Sequence, residues 1–561
     1  MVQELAGIIM ISELILKEVL LGPEEGTFSG PTTYSGGLNV LGIYSPTQFA
    51  VRLKPEIHRL INEVPTGIYP MSSLDNDTVQ AFSTYLHETI HWWQHMGSTS
   101  GLIQSLVYPA QSHQNQKYLE KFLHLIGPKK PIKKWAVDAA QLGMKDDEPA
   151  LVAANIAVNN AVDLEFYKFL SISPEKIGEI YTSPFFESVG HCYSIAYSNV
   201  VGLLAATVDR NIAYLPDPRK WEAHFQTLRD HKSDGFDRNG KIDVPPLGLK
   251  ALFEGQARFI QMQYLTSCVL NAPSFEELKN DGYFDGIYGE AFLVFLKILN
   301  VDPPNSIADP LIGLFLLIID LAINPAAGFP CEIESFEDFI VDVDPGWRFL
   351  ILCRAVNSRK ALLSAIKNCS RDEYLYVSRE LTTACGYTNP MDALSKVVSW
   401  QTECAGIKKI MAEKKLFLYE PANIVTRVIF SHFIEFYSDK LAHPEFFCWP
   451  GTWMAGDRVG TLSQELFLKH LSLYTNKEDK EGIFPREIAG KDKKGLEDTL
   501  NTFYRNLVIY DLTKQWILTP GGFKYDYQWL VEASSCDQIE DWAKALFSQV
   551  YGISPDAFEQ A

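Results

Sequence analysis

The sequence predicts an α+β protein that is predominantly α-helical, with a small β-sheet ahead of its most informative helix and a helical carboxy-terminal region. Three observations predict this. Strand-like composition is concentrated in residues 30–55, while two long segments, 75–96 and 247–270, repeat apolar residues at spacings of three and four. Beyond residue 300 the pattern is mainly helical and rich in aromatics. With 561 residues, 47% hydrophobic and 21% charged, the chain is long enough for two or three domains. The division expected is a catalytic region over 1–300 and a helical region of unassigned role over 301–561.

Taken in order, residues 38–44 and 48–53 have strand composition, with Gly36-Gly37 before them and Ser45-Pro46 as the turn between. Leu74-Asp75-Asn76-Asp77 then offers several N-caps for a helix over 75–96. Val79, Phe82, Leu86, Ile90 and Trp93 form its apolar stripe, so one side is expected to be buried, and Gly97 is a natural C′ residue. A basic, proline-containing loop is expected at 127–134 and another at 231–246. The second holds Asp234, Asp237, Asn239 and Gly240, but aligning Gly240 on the EF-hand glycine puts Gly235 and Pro246 where acidic ligands belong, so it reads as an Asx-rich turn. The helix over 247–270 carries Leu249, Phe253, Ala257, Ile260 and Tyr264 on its apolar side. The run 311–319 is apolar but half the length of a membrane helix, and Asp320 closes it, which makes it a buried helix or strand. A charged stretch over 476–494 interrupts the helical carboxy-terminal region. Ser431-His432, His443 and the pair His191-Cys192 lack ligand or nucleophile spacing and read as core or surface residues.

The chemistry concentrates in His87-Glu88-Thr89-Ile90-His91. Four residues apart on a helix, His87 and His91 project from one face and can share a zinc ion. Glu88 sits one position off that line, where a carboxylate can take a proton from water without being a ligand. A hydrolytic zinc usually has three protein ligands and an open position. His95 lies about 12 Å along the axis from His87 at 1.5 Å per residue, too far to close a tetrahedron from one helix. It reads as structural, complementing the helix dipole in the last turn, or as a support to one of the ligands.

Downstream, Glu254 interrupts the apolar pattern of its helix and is followed at once by Gly255. A helical glycine costs about 1 kcal/mol relative to alanine, so a packing reason is expected. Gly255 and Ala257 would let this helix approach the HExxH helix and bring the Glu254 carboxylate to the metal, with Arg258 one turn on to orient it. The bland alternative is a surface ion pair between Glu254 and Arg258. Glu165, Glu187, His191 and Glu290 are the other acidic or imidazole candidates for a third ligand.

HExxH followed by a later helix carrying E-G-x-A-x-[FY], here Glu254, Gly255, Ala257 and Phe259, resembles the gluzincin metallopeptidases of the zincin superfamily. The resemblance covers two helices. It implies a zincin-like catalytic unit hydrolysing peptide bonds, with one Zn²⁺ per chain on His87, His91 and Glu254 and Glu88 as general base. Short strands before the HExxH helix fit that plan, in which an edge strand binds an extended peptide. His191, Tyr264 and Tyr288 are unranked candidates for the oxyanion donor such a reaction needs.

A net charge of −19 argues against a nucleic-acid partner. Nine cysteines without a CxxC pair point to free thiols in a reducing compartment. The first residues lack the basic region of a signal peptide, no apolar run spans a membrane, and a cytoplasmic protein is expected. The expected partner is a specific protein or peptide substrate, with residues 301–561 shaping access or binding a regulatory protein. The competing class is a catalytically inactive zincin-like scaffold, in which an intact Glu88 would have no use.

Overall fold

A computed structural model describes residues 11–13, 15–17, 42–45, 49–62, 75–480, 482–488, 490–527 and 536–561. Of the N-cap candidates it selects Asp75, whose Oδ1 accepts from the Thr78 N–H at 2.8 Å and starts the helix Asn76–Gly97. That bond draws the Asp75 carboxyl below its ordinary pKa. The HExxH helix is buried on nearly all sides from Thr78 to Gly97, rather than on the one side its apolar stripe suggested. It packs against Pro55–Asn62, Thr99–Ile126, Leu249–Ser267, Ile424–Ala442 and the small sheet. Two of its buried hydroxyls are satisfied within the helix, Ser83 Oγ donating to Gln80 O and Thr89 Oγ1 to Tyr85 O.

The protein is predominantly helical with little strand. Strands Gly42–Ser45 and Ala50–Leu53 pair antiparallel, with Gly42 opposite Leu53 and Ser45 opposite Ala50. The parts of the expected strands at 38–41 and 46–48 lie outside the described residues. The sheet does not end there: Ala50–Leu53 pairs in parallel with Tyr474–Thr475, which pairs with Phe484–Pro485 inside the charged stretch. A two-residue strand carries no alternation to read, so this half of the sheet left no sequence signal. The expected loop at 127–134 likewise contains a two-residue strand, Lys129–Lys130, paired with Glu559–Gln560.

These pairings cross the expected division at residue 300, and so does the core. Trp93 on the HExxH helix packs tilted or edge-on against Phe436, Phe446, Phe447 and Phe467, and its indole N–H donates to His470 O at 2.8 Å. Gly97 is the last residue of its helix rather than a left-handed C′ residue. A Cβ there would lie 2.3 Å from Phe436 Cε1, so the glycine serves a close approach of the helix Ile424–Ala442. Ser98 then caps the next helix, accepting from the Gly101 N–H at 3.0 Å. The apolar run at 311–319 is helical, within Pro310–Ala322, and Asp320 is buried against Lys440 and the Tyr374 hydroxyl. Among the described residues, no helix is long and apolar enough to cross a membrane.

Candidate metal centre

The helices Asn76–Gly97 and Leu249–Ser267 pack side by side and bring three donors together. The Nε2 atoms of His87 and His91 are 3.2 Å apart. Glu254 Oε2 lies 3.7 Å from His87 Nε2 and 3.4 Å from His91 Nε2. Among the described residues this is the one group of three or more His, Cys, Asp or Glu side chains close enough to hold a metal. In a tetrahedron with bonds of about 2.0–2.1 Å the ligand atoms stand about 3.3 Å apart, so the three atoms have the spacing of zinc ligands. Two imidazoles and a carboxylate are also the donor set of an open hydrolytic site. The residues present fit the metal.

Electrostatics shows what brings these groups together without it. Burial pushes His87 down to about 4, only partly opposed by Glu254. Burial also works against protonated His91, but the Glu254 carboxylate beside it prevails and raises it to about 9. Burial acts upward on Glu254, and the His91 and His87 imidazoles overcome it, holding the carboxyl well below its usual range. His87 is therefore neutral near pH 7, while His91 and Glu254 form an ion pair whose proton a metal must displace.

Gln94 completes the arrangement. Its Oε1 is 2.8 Å from His91 Nδ1, and an amide oxygen only accepts, so Nδ1 keeps its proton and Nε2, facing Glu254, is the nitrogen whose proton a metal would displace. The Gln94 amide nitrogen donates at 2.9 Å to both Phe253 O and Gln256 Oε1 on the neighbouring helix. One side chain thus orients His91 and ties together the two helices that carry the three donors. Neither glutamine was singled out from the sequence. The available signal was Gln94 lying one turn beyond His91 on the same face. The Nδ1 atom of His87, by contrast, is buried without a hydrogen-bond partner.

Glu88 is buried, 7% exposed, within electrostatic reach of His91 and Tyr288. Tyr288 is the oxyanion candidate that the fold brings here. Its ring meets that of His87 at a centroid distance of 6.2 Å, and the Arg258 guanidinium lies over it at 4.1 Å. Burial raises the Tyr288 hydroxyl above its ordinary pKa despite Arg258, which keeps it a proton donor.

Several expectations need correction. Arg258 is 3% exposed, so it is no surface ion pair; it lies over Tyr288 and donates to Gln261 Oε1 at 2.8 Å. Tyr264 packs in the core against Phe82, about 15 Å along the helix from Glu254 at 1.5 Å per residue. His191 belongs to another cluster, 3.0 Å from Asp163 and 3.4 Å from Glu187, with Arg229 on its other nitrogen. Glu165 is taken by Lys168 and Lys514, and Glu290 is exposed. His95 sits against Phe253, and burial lowers its pKa to about 3, so it is neutral and adds no positive charge to the helix end. Gly255 faces Ala291, Tyr288 and Phe315 rather than the HExxH helix, and an added Cβ would make ordinary contacts of 3.6 Å or more. Steric need therefore does not account for this glycine.

No family model, curated protein or solved structure matches this chain.

Proposed function

We propose that this chain is a zinc-dependent metallopeptidase that hydrolyses peptide bonds of a specific protein substrate. The observation that carries this reading is the convergence of the Glu254 carboxylate on the His87 and His91 Nε2 atoms, with Glu88 buried beside them. His87, His91 and Glu254 would hold one zinc. When bound, it supplies Lewis acidity toward a carbonyl and lowers the pKa of water toward about 7. Glu88 takes the proton of the attacking water and hands it to the leaving amine. Tyr288, kept protonated by burial, is the donor for the developing oxyanion. Gln94 holds His91 in the required tautomer. Strand Gly42–Ser45 is last in its sheet among the described residues and packs against the HExxH helix, which suits main-chain pairing with an extended peptide.

The test compares wild type with Glu88→Gln. The amide keeps the side chain's shape but cannot take a proton, so hydrolysis is expected to vanish while zinc content and melting temperature stay near wild type. A proteomic comparison of cells expressing the two forms identifies the substrate. Substrates cleaved equally by both forms would remove Glu88 from the base role.

A further inference from the structure

On the side of the Glu254 helix away from its start, Gln263 helps line a cavity of about 430 Å³. That is within the range of about 300–1,000 Å³ typical of small-molecule sites. Its remaining walls come from residues 307–309 and the start of the helix Pro310–Ala322, the segment 366–369, and Thr452, Ala455, Gly456 and Arg458.

The lining mixes polar and apolar surface and is locally positive. Lys367 and Arg458 both face the cavity, and among the described residues no carboxylate lies in ion-pair range of either. Among the described residues the acidic side chain in the wall is Asp309, and it is already engaged, its Oδ1 accepting from the Leu311 N–H at 2.9 Å as a helix cap. Gln263 is 5% exposed, and its Oε1 has no hydrogen-bond partner. A buried acceptor left unpaired costs roughly 1–3 kcal/mol, which a ligand N–H or O–H would recover once the amide turns its oxygen into the cavity.

The walls are braced rather than loose. Glu373 accepts from the backbone N–H groups of Lys367, Asn368 and Ser370 at 3.0, 3.1 and 2.9 Å. The Trp453 indole donates to Cys369 O at 3.0 Å, and Arg458 donates to Asn368 O. Cys369 itself is held at φ +49°, a left-handed conformation that a non-glycine residue adopts at a cost and keeps only where its surroundings enforce it. A preformed cavity with two cations in its wall, in a chain of net charge −19, is a local inversion of the protein's field. At a Debye length of about 8 Å the contact groups outweigh the distant negative charge.

We propose that this cavity binds a small organic anion, a carboxylate or phosphate ester, that also presents a hydroxyl or N–H to Gln263. Lys367 and Arg458 take the anionic group and Gln263 takes the donor. The two cations disfavour a cationic ligand. The inference is independent of the metal centre.

Titration calorimetry on the full-length protein with citrate, glucose 6-phosphate and adenosine monophosphate tests it, with glucose and adenosine as uncharged controls. At least one anion is expected to bind saturably at one site per chain and the controls are not. Citrate against the two phosphate esters separates carboxylate from phosphate recognition. Lys367→Glu, at an exposed residue whose side chain braces no wall, is expected to weaken binding by about tenfold or more. Gln263→Leu, which keeps the volume, weakens it several-fold, and Glu88→Gln leaves it unchanged. No saturable binding of any of the three anions up to about 10 mM, binding equal to that of the uncharged controls, or binding unaltered by Lys367→Glu would each overturn the proposal.

Discussion

Gln94 does two jobs with one amide, accepting from His91 Nδ1 and donating across to the Glu254 helix. Gln94→Leu removes both, leaving a buried imidazole N–H unpaired and freeing the ring to take the other tautomer. Zinc affinity is expected to fall on the order of 10–100-fold, as for other residues that orient metal ligands, while Gln94→Glu, which still accepts, restores most of it. Competition with a calibrated chelator measures both; equal affinity in all three proteins would contradict the role. The contrast between Gln94 and its neighbours shows what was legible at this scale. His87, Glu88 and His91 could be read because their relation is set by helical geometry alone. Glu254 was readable as a charge out of place in an apolar pattern. The part played by Gln94 depends on Phe253, 159 residues away in the chain, and no local pattern records that contact. Tyr288 could be named but not separated from His191 and Tyr264, because only tertiary packing decides which of them meets His87.

Helix ends were legible where a side chain acts locally and hidden where a distant element intrudes. Asp75 caps its own helix, whereas Gly97 exists for Phe436. Gly97→Ala is therefore expected to destabilise the protein by about 1–3 kcal/mol, the range for overpacking a buried contact, although alanine favours helix. Thermal or urea unfolding checks it, and a gain in stability would show that Phe436 moves aside freely. A second inter-helix tie links Pro149–Ile172 to Lys493–Leu518: Glu165 lies 2.8 Å from Lys168 and 2.7 Å from Lys514. Burial acts upward on Glu165, and the two lysines outweigh it, lowering it from 4.5 to about 2. A carboxyl depressed on folding contributes stability that is fully present above pH 4.5 and is lost as pH falls toward about 2. Glu165→Gln should thus cost on the order of 1–3 kcal/mol at neutral pH, with the difference from wild type shrinking across that acid window. A difference independent of pH would mean that the contribution is packing rather than charge.

At the scale of the molecule, the predominantly helical class was legible and the interleaving of the two halves was not. The HExxH helix is sealed by Phe436, Phe446, Phe447 and Phe467, and the sheet beside it is completed by Tyr474–Thr475. Periodicity identifies an apolar face but not the element that covers it, so residues 301–561 read as a separate region. A fragment comprising residues 1–300 leaves Trp93 and strand Ala50–Leu53 uncovered and is expected to be unfolded by circular dichroism and to bind no zinc stoichiometrically. A cooperatively folded fragment would contradict the shared core. The central claim is that His87, His91 and Glu254 form one zinc site, and its most direct test is the zinc content of the full-length protein, purified without chelators and reconstituted, beside its ligand variants. About one zinc per chain is expected in wild type and Glu88→Gln, with near-complete loss in His87→Ala and His91→Ala and a weakened site in Glu254→Ala. Zinc absent from the reconstituted wild type, or retained undiminished when Glu254 is replaced, would contradict the account.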